Sequence, residues 1–139
     1  MTDAVDVVVV DASSAVAAGL SDEFHVLERF GRLVGPPLLW SESTSILREL
    51  SFRGEVTDAQ ARSAVHRIGL APLEPMVPSG HYAASLATAS RLGWAKTYDA
   101  EYVALAQAID APLLTLDERL IRGAGHLVRI LRPTETERP

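Results

Sequence analysis

Four carboxylates stand where a folded α/β chain could gather them: Asp11, Glu42, Asp99 and Asp117. Asp11 closes a run of valines, Glu42 follows Leu38-Leu39-Trp40, and Asp117 follows Leu113-Leu114-Thr115-Leu116. Asp99 falls in the first turn of an apolar helical segment. Two carboxylates about 4 Å apart repel by roughly 4 kcal/mol at an effective dielectric of about 20, so four in one pocket cannot all stay ionised without a cation. Either burial and repulsion raise their pKa values until some are neutral, or a hard divalent ion binds. Oxygen ligands with retained waters suit Mg²⁺ or Mn²⁺; without cysteine, and with no histidine at ligand spacing, zinc is the poorer match. Each acid taken alone has a plainer use, as a helix N-cap or a first-turn charge favoured by the helix dipole.

Because these acids are far apart in sequence, only a particular order of elements can bring them together. Residues 5–10 are β-branched and almost continuously apolar, which predicts a strand covered on both faces. Asp11 then gives way to a short helix with Ser13 or Ser14 near its cap and Gly19 as its stop. Phe24, Leu27, Phe30 and Val34 hold helical spacing up to Gly35-Pro36-Pro37, and Leu38-Leu39-Trp40 is a short apolar run before a helix carrying Ile46, Leu47 and Leu50. Glu42 is expected in the first turn of that helix. Thr57-Asp58-Ala59-Gln60 fits a capping box, predicting a helix to about Gly69. The prolines between Leu70 and Val77 allow only a brief edge strand. Ser79 to Leu92 and Tyr98 to Ile109 read as helices, the second largely buried and capped by Thr97. A strand over Pro112 to Leu116, a short helix from Asp117 and a last strand over Leu127 to Leu131 complete the pattern. Strands and helices alternating in this order predict an α/β domain over residues 1–132, with a mainly parallel central sheet and helices on both faces, followed by a polar tail over 133–139. In such sheets ligands bind beyond the carboxyl ends of the strands, where three of the four acids are expected.

The chain of 139 residues is long enough for one stable core without staples, and its lack of cysteine excludes disulfide frameworks, thiolate metal sites and cysteine nucleophiles. Its first residues carry acids where a secretory signal has positive charge, and no apolar stretch approaches the roughly 18 residues needed to cross a bilayer. A cytoplasmic location without membrane contact is therefore expected. The net charge of −5 argues against nucleic-acid binding through a global positive field. All the basic residues but Lys96 are arginines.

The run Val-Val-Val-Asp11-Ala-Ser13, the stretch Pro37-Leu-Leu-Trp-Ser-Glu42-Ser-Thr-Ser-Ile-Leu47, the element Tyr98-Asp99-Ala-Glu-Tyr102-Val-Ala-Leu-Ala106, and Leu114-Thr115-Leu-Asp117-Glu-Arg119 together resemble a PIN domain. Within that superfamily the chain is similar to the VapC ribonuclease toxins of VapBC toxin–antitoxin pairs, from about residue 6 to residue 131. The resemblance implies a metal-dependent endoribonuclease that cleaves single-stranded or structured RNA to inhibit translation and growth. It implies that Asp11, Glu42, Asp99 and Asp117 are the catalytic quartet holding Mg²⁺ or Mn²⁺. Ser13 and Thr115 match the family's hydroxyl residues and would orient a carboxylate or a bound water. Family members often carry Asn three residues after the Glu, where this chain has Ser45, and no second Asp follows Asp117, leaving Glu118 as an optional fifth acid. The implied partners are an RNA substrate, a cognate VapB-type antitoxin and a second copy of the chain, in a homodimer and a higher toxin–antitoxin complex.

Arg119 has two readings, a phosphate contact through its guanidinium fork or a salt bridge with Glu118. Tyr98 and Tyr102, one helical turn apart, read first as a packed aromatic pair and second as a base-stacking surface. Trp40 and Trp94 are expected in the core or an interface, Lys96 as a surface charge, and His25, His66, His81 and His126 at surface or partly buried helix positions. A receiver-type phospho-signalling domain would need a lysine after the fifth strand, and Lys96 is misplaced for it. A haloacid-dehalogenase-type phosphatase would need Asp-x-Asp where the chain has Asp11-Ala-Ser13. A non-catalytic PIN-like module acting through protein or RNA binding is the alternative of a different class.

Overall fold

A computed structural model describes residues 6–133, and its centre is a strand with no polar side chain in it. β1 (Val7–Val10) is sealed on both faces: Val8, Val9 and Val10 are successively buried, as a strand between two helical layers must be. Around it lies a five-stranded, all-parallel sheet ordered β3-β2-β1-β4-β5, with β2 at Arg32–Gly35, β3 at Leu73–Pro75, β4 at Leu113–Leu114 and β5 at Ile130–Leu131. β3 is the proline-bounded edge strand that the sequence pattern predicts.

The helices are α1 (Ala12–Ser21), α2 (Phe24–Leu27), α3 (Leu38–Phe52), α4 (Asp58–Leu70), α5 (His81–Leu92), α6 (Tyr98–Ala108) and α7 (Glu118–Ala124). α1, α3 and α4 pack on one another, α5 packs on α6, and α6 lies against β1 and β4. The capping box of α4 forms: the Thr57 hydroxyl accepts from the Gln60 backbone N–H at 3.0 Å and the Gln60 side chain accepts from the Thr57 N–H at 2.8 Å. Among the described residues no helix is long and apolar enough to cross a membrane.

Three expectations change. The expected helix through Val34 stops early: α2 gives way to a 3₁₀ turn at Glu28–Phe30, and Gly31 at φ 137° turns the chain into β2, where Leu33 and Val34 are buried. Only glycine fits at residue 31, because a Cβ there would collide with the Asp6 carbonyl. The Leu38-Leu39-Trp40 run is the first turn of α3 rather than a strand-like lead-in, so Glu42 lies beyond the first turn, one turn further along the helix than expected. Gly19 does not end α1; a Cβ there would lie 3.1 Å from the Ala64 carbonyl, so glycine permits the close approach of α1 and α4. α1 ends instead at Asp22, which adopts the left-handed conformation at φ 58°. Of the expected polar tail, 134–139 lie outside the described residues.

Candidate active site

Asp11 leaves the carboxyl end of β1 and is itself the N-cap of α1, the position expected for Ser13 or Ser14. Its Oδ1 accepts from the Ser14 N–H at 3.0 Å and from the Ser13 hydroxyl at 2.8 Å, and its Oδ2 accepts from the Thr115 hydroxyl at 2.6 Å. Both hydroxyls are also acceptors, from the Leu116 N–H at 3.0 Å and the Asp117 N–H at 2.9 Å. Each therefore spends its single proton on Asp11 and a lone pair on the backbone that follows β4. This fixes the direction of the bonds and joins the ends of the two central strands. The side-chain roles expected of Ser13 and Thr115 match these contacts. Burial holds the Asp11 carboxyl above the usual carboxylate range, against the lowering pull of Thr115, Ser14 and Ser13.

Asp117 caps α7, its Oδ1 accepting from the Arg119 N–H at 2.9 Å. Glu42 reaches in from α3, and its Oε1 accepts a 2.6 Å hydrogen bond from Tyr102 of α6. Tyr102 is fully buried, whereas Tyr98 is 54% exposed, so the expected packed pair is split between core and surface. Burial, then the neighbouring Glu42 charge, pushes the Tyr102 phenol far above its ordinary value, keeping it a donor. Asp99, in the first turn of α6, is half-buried and has no hydrogen-bond partner among the described residues.

The four acids share one electrostatic environment. Burial raises Glu42, the Tyr102 bond opposes this, and the charges of Asp99 and Asp11 raise it further. Burial and the charge of Asp117 raise Asp99, while Arg119 lowers it. A chain of mutual repulsion thus runs from Asp11 through Glu42 and Asp99 to Asp117; Asp11 and Asp117 follow β1 and β4, whereas Glu42 and Asp99 come from α3 and α6 and not from strand ends. These donors are the hard oxygens that suit Mg²⁺ or Mn²⁺. Among the described residues, however, no three His, Asp or Glu side chains are arranged so that they could hold a metal ion as they stand. Donor chemistry fits an ion, and closing on it requires the side chains of the more open acids to draw in.

Other expected residues fall on either side of this pocket. Arg119 lies 3.6 Å from Asp117 Oδ2 with its side chain 75% exposed, so its ion-pair partner is Asp117 and not Glu118. Glu118 pairs with Arg132, which lowers its pKa and turns it to another use. Ser45 is exposed on α3. His81, expected at or near the surface, is buried and meets Glu101 of α6 at 3.1 Å; the other three histidines are exposed. Sequence reasoning missed the Tyr102–Glu42 bond. The i, i+3 spacing that sets Tyr102 on the same helix face as Asp99 was the available signal.

A PIN domain family model matches residues 8–125. The chain is 36% identical over 114 residues to "Ribonuclease VapC9" of Mycobacterium tuberculosis and to "VapC ribonuclease Mb0985" of Mycobacterium bovis, covering 81% of this chain and 87% of either relative. Among solved structures, PAE2754 from Pyrobaculum aerophilum superposes with a TM-score of 0.72 at 21% identity, over 92% of this chain and 91% of that one. VapBC2 from Rickettsia felis, solved bound to a DNA fragment from its promoter, gives a TM-score of 0.58 at 12% identity, over 91% and 98%. The two structures share the fold; the family match and the mycobacterial relatives go further, and the chain belongs to the PIN-domain family, among the VapC proteins.

Proposed function

We propose that this protein is a Mg²⁺- or Mn²⁺-dependent endoribonuclease, the toxin of a type II toxin–antitoxin pair. The observation that carries this reading is the gathering of Asp11 and Asp117, which follow β1 and β4, with Glu42 of α3 and Asp99 of α6 into one acidic pocket. The ribonuclease names of the mycobacterial relatives support it. The same four acids would hold the ion. When bound, it would lower the pKa of a water and polarise a phosphoryl oxygen.

The protein's own contribution is orientation. Ser13 and Thr115 hold the Asp11 carboxylate in one rotamer, and Thr115 also fixes the backbone that launches Asp117. Tyr102 holds one Glu42 oxygen and leaves the other for a ligand. Arg119 is placed to meet a phosphate as it leaves its loose contact with Asp117. The VapBC naming of the Rickettsia complex supports a VapB-type antitoxin as partner. A homodimer, a higher toxin–antitoxin complex and a cytoplasmic location belong to the same proposal.

Purified protein incubated with single-stranded RNA tests the reading. Cleavage is expected with Mg²⁺ or Mn²⁺, none with chelator, and little from Asp11→Asn or Asp99→Asn. Equal cleavage by wild type and both variants would overturn it. Induced expression is expected to arrest bacterial growth, and co-expression of the cognate antitoxin to relieve the arrest.

A further inference from the structure

A groove of about 550 Å³ opens onto the acidic pocket: Glu42 and Asp99 line it together with Trp94, Lys96, Tyr98 and Arg119. We propose that this groove binds a nucleotide of single-stranded RNA next to the scissile phosphate, with Tyr98 as the base-stacking platform and Lys96 and Arg119 as the phosphate contacts. This deepens the nuclease reading and rests on it.

Tyr98 supplies the first argument. At the first position of α6 it leaves 54% of its surface in solvent, while Tyr102, one turn along, fills the core. Other large apolar side chains are exposed, including Phe52, Leu70 and Tyr82, but none of these lines the groove that reaches the carboxylates. An exposed aromatic face beside an acidic nuclease pocket suits a base, because every base offers a π-face to stack.

Charge placement supplies the second. In a chain of net charge −5, the single lysine and an arginine with 75% of its side chain exposed both line this groove. The Arg119 guanidinium comes no closer than 3.6 Å to the Asp117 carboxylate, which leaves its fork available for an anion. Cations and carboxylates lining one groove match an RNA strand whose phosphates meet Lys96 and Arg119 and whose cleaved bond meets the acids.

Rigidity supplies the third. Gly93, left-handed at φ 73°, ends α5, and Trp94 is held by its N–H to the Ala89 carbonyl at 2.8 Å. Its ring seats against Gly123 so closely that a Cβ there would lie 2.8 Å from Trp94 Cζ2. The groove wall is therefore preformed, which lowers the ordering cost of binding. A second groove of about 550 Å³, between α3 and α4, includes Leu47, Ala61 and Val65 and contains none of the four acids.

The test is fluorescence anisotropy of a labelled 12-nucleotide single-stranded RNA pool of random sequence, with Ca²⁺ present, alongside cleavage in Mn²⁺. Tyr98→Ala is expected to weaken binding about 10-fold or more, and Tyr98→Phe, which keeps the ring, to stay within about twofold of wild type. Lys96→Ala is expected to flatten the slope of log affinity against log salt by about 0.7, as one lost phosphate contact on a single strand should. Photo-cross-linking of the same pool carrying 5-iodouridine, mapped on wild type, should label Trp94 or Tyr98 and guards against a misfolded variant. Unchanged binding by Tyr98→Ala, or cross-links confined to other surfaces, would overturn the groove. If wild type still cleaves RNA in that case, the nuclease reading stands without it. Binding through the groove with no cleavage in any metal would retain the groove and overturn the nuclease reading; neither binding nor cleavage by wild type would overturn both.

Discussion

The two halves of the acidic pocket are built differently. Around Asp11 the carboxylate is held by hydrogen bonds from Thr115, Ser14 and the half-buried Ser13: Thr115 is fully buried, Asp11 nearly so, and the Thr115 hydroxyl serves a carboxylate and a backbone amide together. Around Asp99 the surface is open, no hydrogen bond restrains the carboxylate among the described residues, and the neighbouring Arg119 is mostly in solvent. Glu42 sits between them, with one oxygen held by Tyr102. The corner around Asp11 anchors the ends of β1 and β4 to each other, whereas the rim around Asp99 is, on the proposed function, the part that would draw in on an ion.

Substitutions should separate the two halves by size of effect. The largest loss of stability is expected for Thr115→Val, which removes the buried donor to Asp11 and leaves the half-buried Asp117 N–H without its acceptor. About 2 to 4 kcal/mol is expected from denaturant melts, with cleavage falling roughly 10- to 100-fold. A loss below about 1 kcal/mol would mean that the corner is not the anchor described.

Tyr102→Phe comes next. It deletes one hydroxyl and keeps the buried ring, so the fold should survive while Mn²⁺ affinity drops about 10-fold. Unchanged affinity would show that Glu42 needs no holding.

Asp99→Asn should act in the opposite direction on stability. Because the folded pKa lies above the ordinary value of 3.8, the folded state holds the proton more tightly than the unfolded state. Metal-free stability contributed by this group is therefore lost as pH rises from about 4 through the folded pKa. At pH 7 without metal the Asn variant should melt above wild type, and the advantage should vanish below about pH 4. Thermal melts across that range check the sign, and saturating Mn²⁺ should reverse the order at pH 7 by stabilising wild type.

Arg119→Ala is the smallest stability change expected, within about 0.5 kcal/mol, since the residue is exposed and its ion pair is long. RNA affinity is where its loss should register.

Much of this was legible in the sequence because it depends on local pattern. The valine run before Asp11, the Thr57–Gln60 capping box and the proline-bounded edge strand all carry their own chemistry. The reading failed where tertiary contacts override periodicity. Phe24, Leu27, Phe30 and Val34 fit one helical face, yet Gly31 breaks the helix and Val34 pairs beside β1. Gly19 resembles a stop but marks a helix crossing. Asp11 and Asp117 were legible as residues that follow strands, Asp11 at the end of β1 most clearly, whereas Glu42 was not, because the apolar run before it is helix. What holds them was only partly so: the Tyr102 bond to Glu42 spans 60 residues and the His81 pair with Glu101 links two helices, so neither leaves a spacing signal between the partners.

The central claim, that four converging carboxylates form a divalent-metal site, is tested most directly by titrating Mn²⁺ into metal-free protein and following the paramagnetic resonance of the free ion. Wild type should bind saturably, and Asp99→Asn should weaken that binding about 10-fold or more. Failure of the wild type to bind Mn²⁺, or equal binding by the variant, would contradict the account.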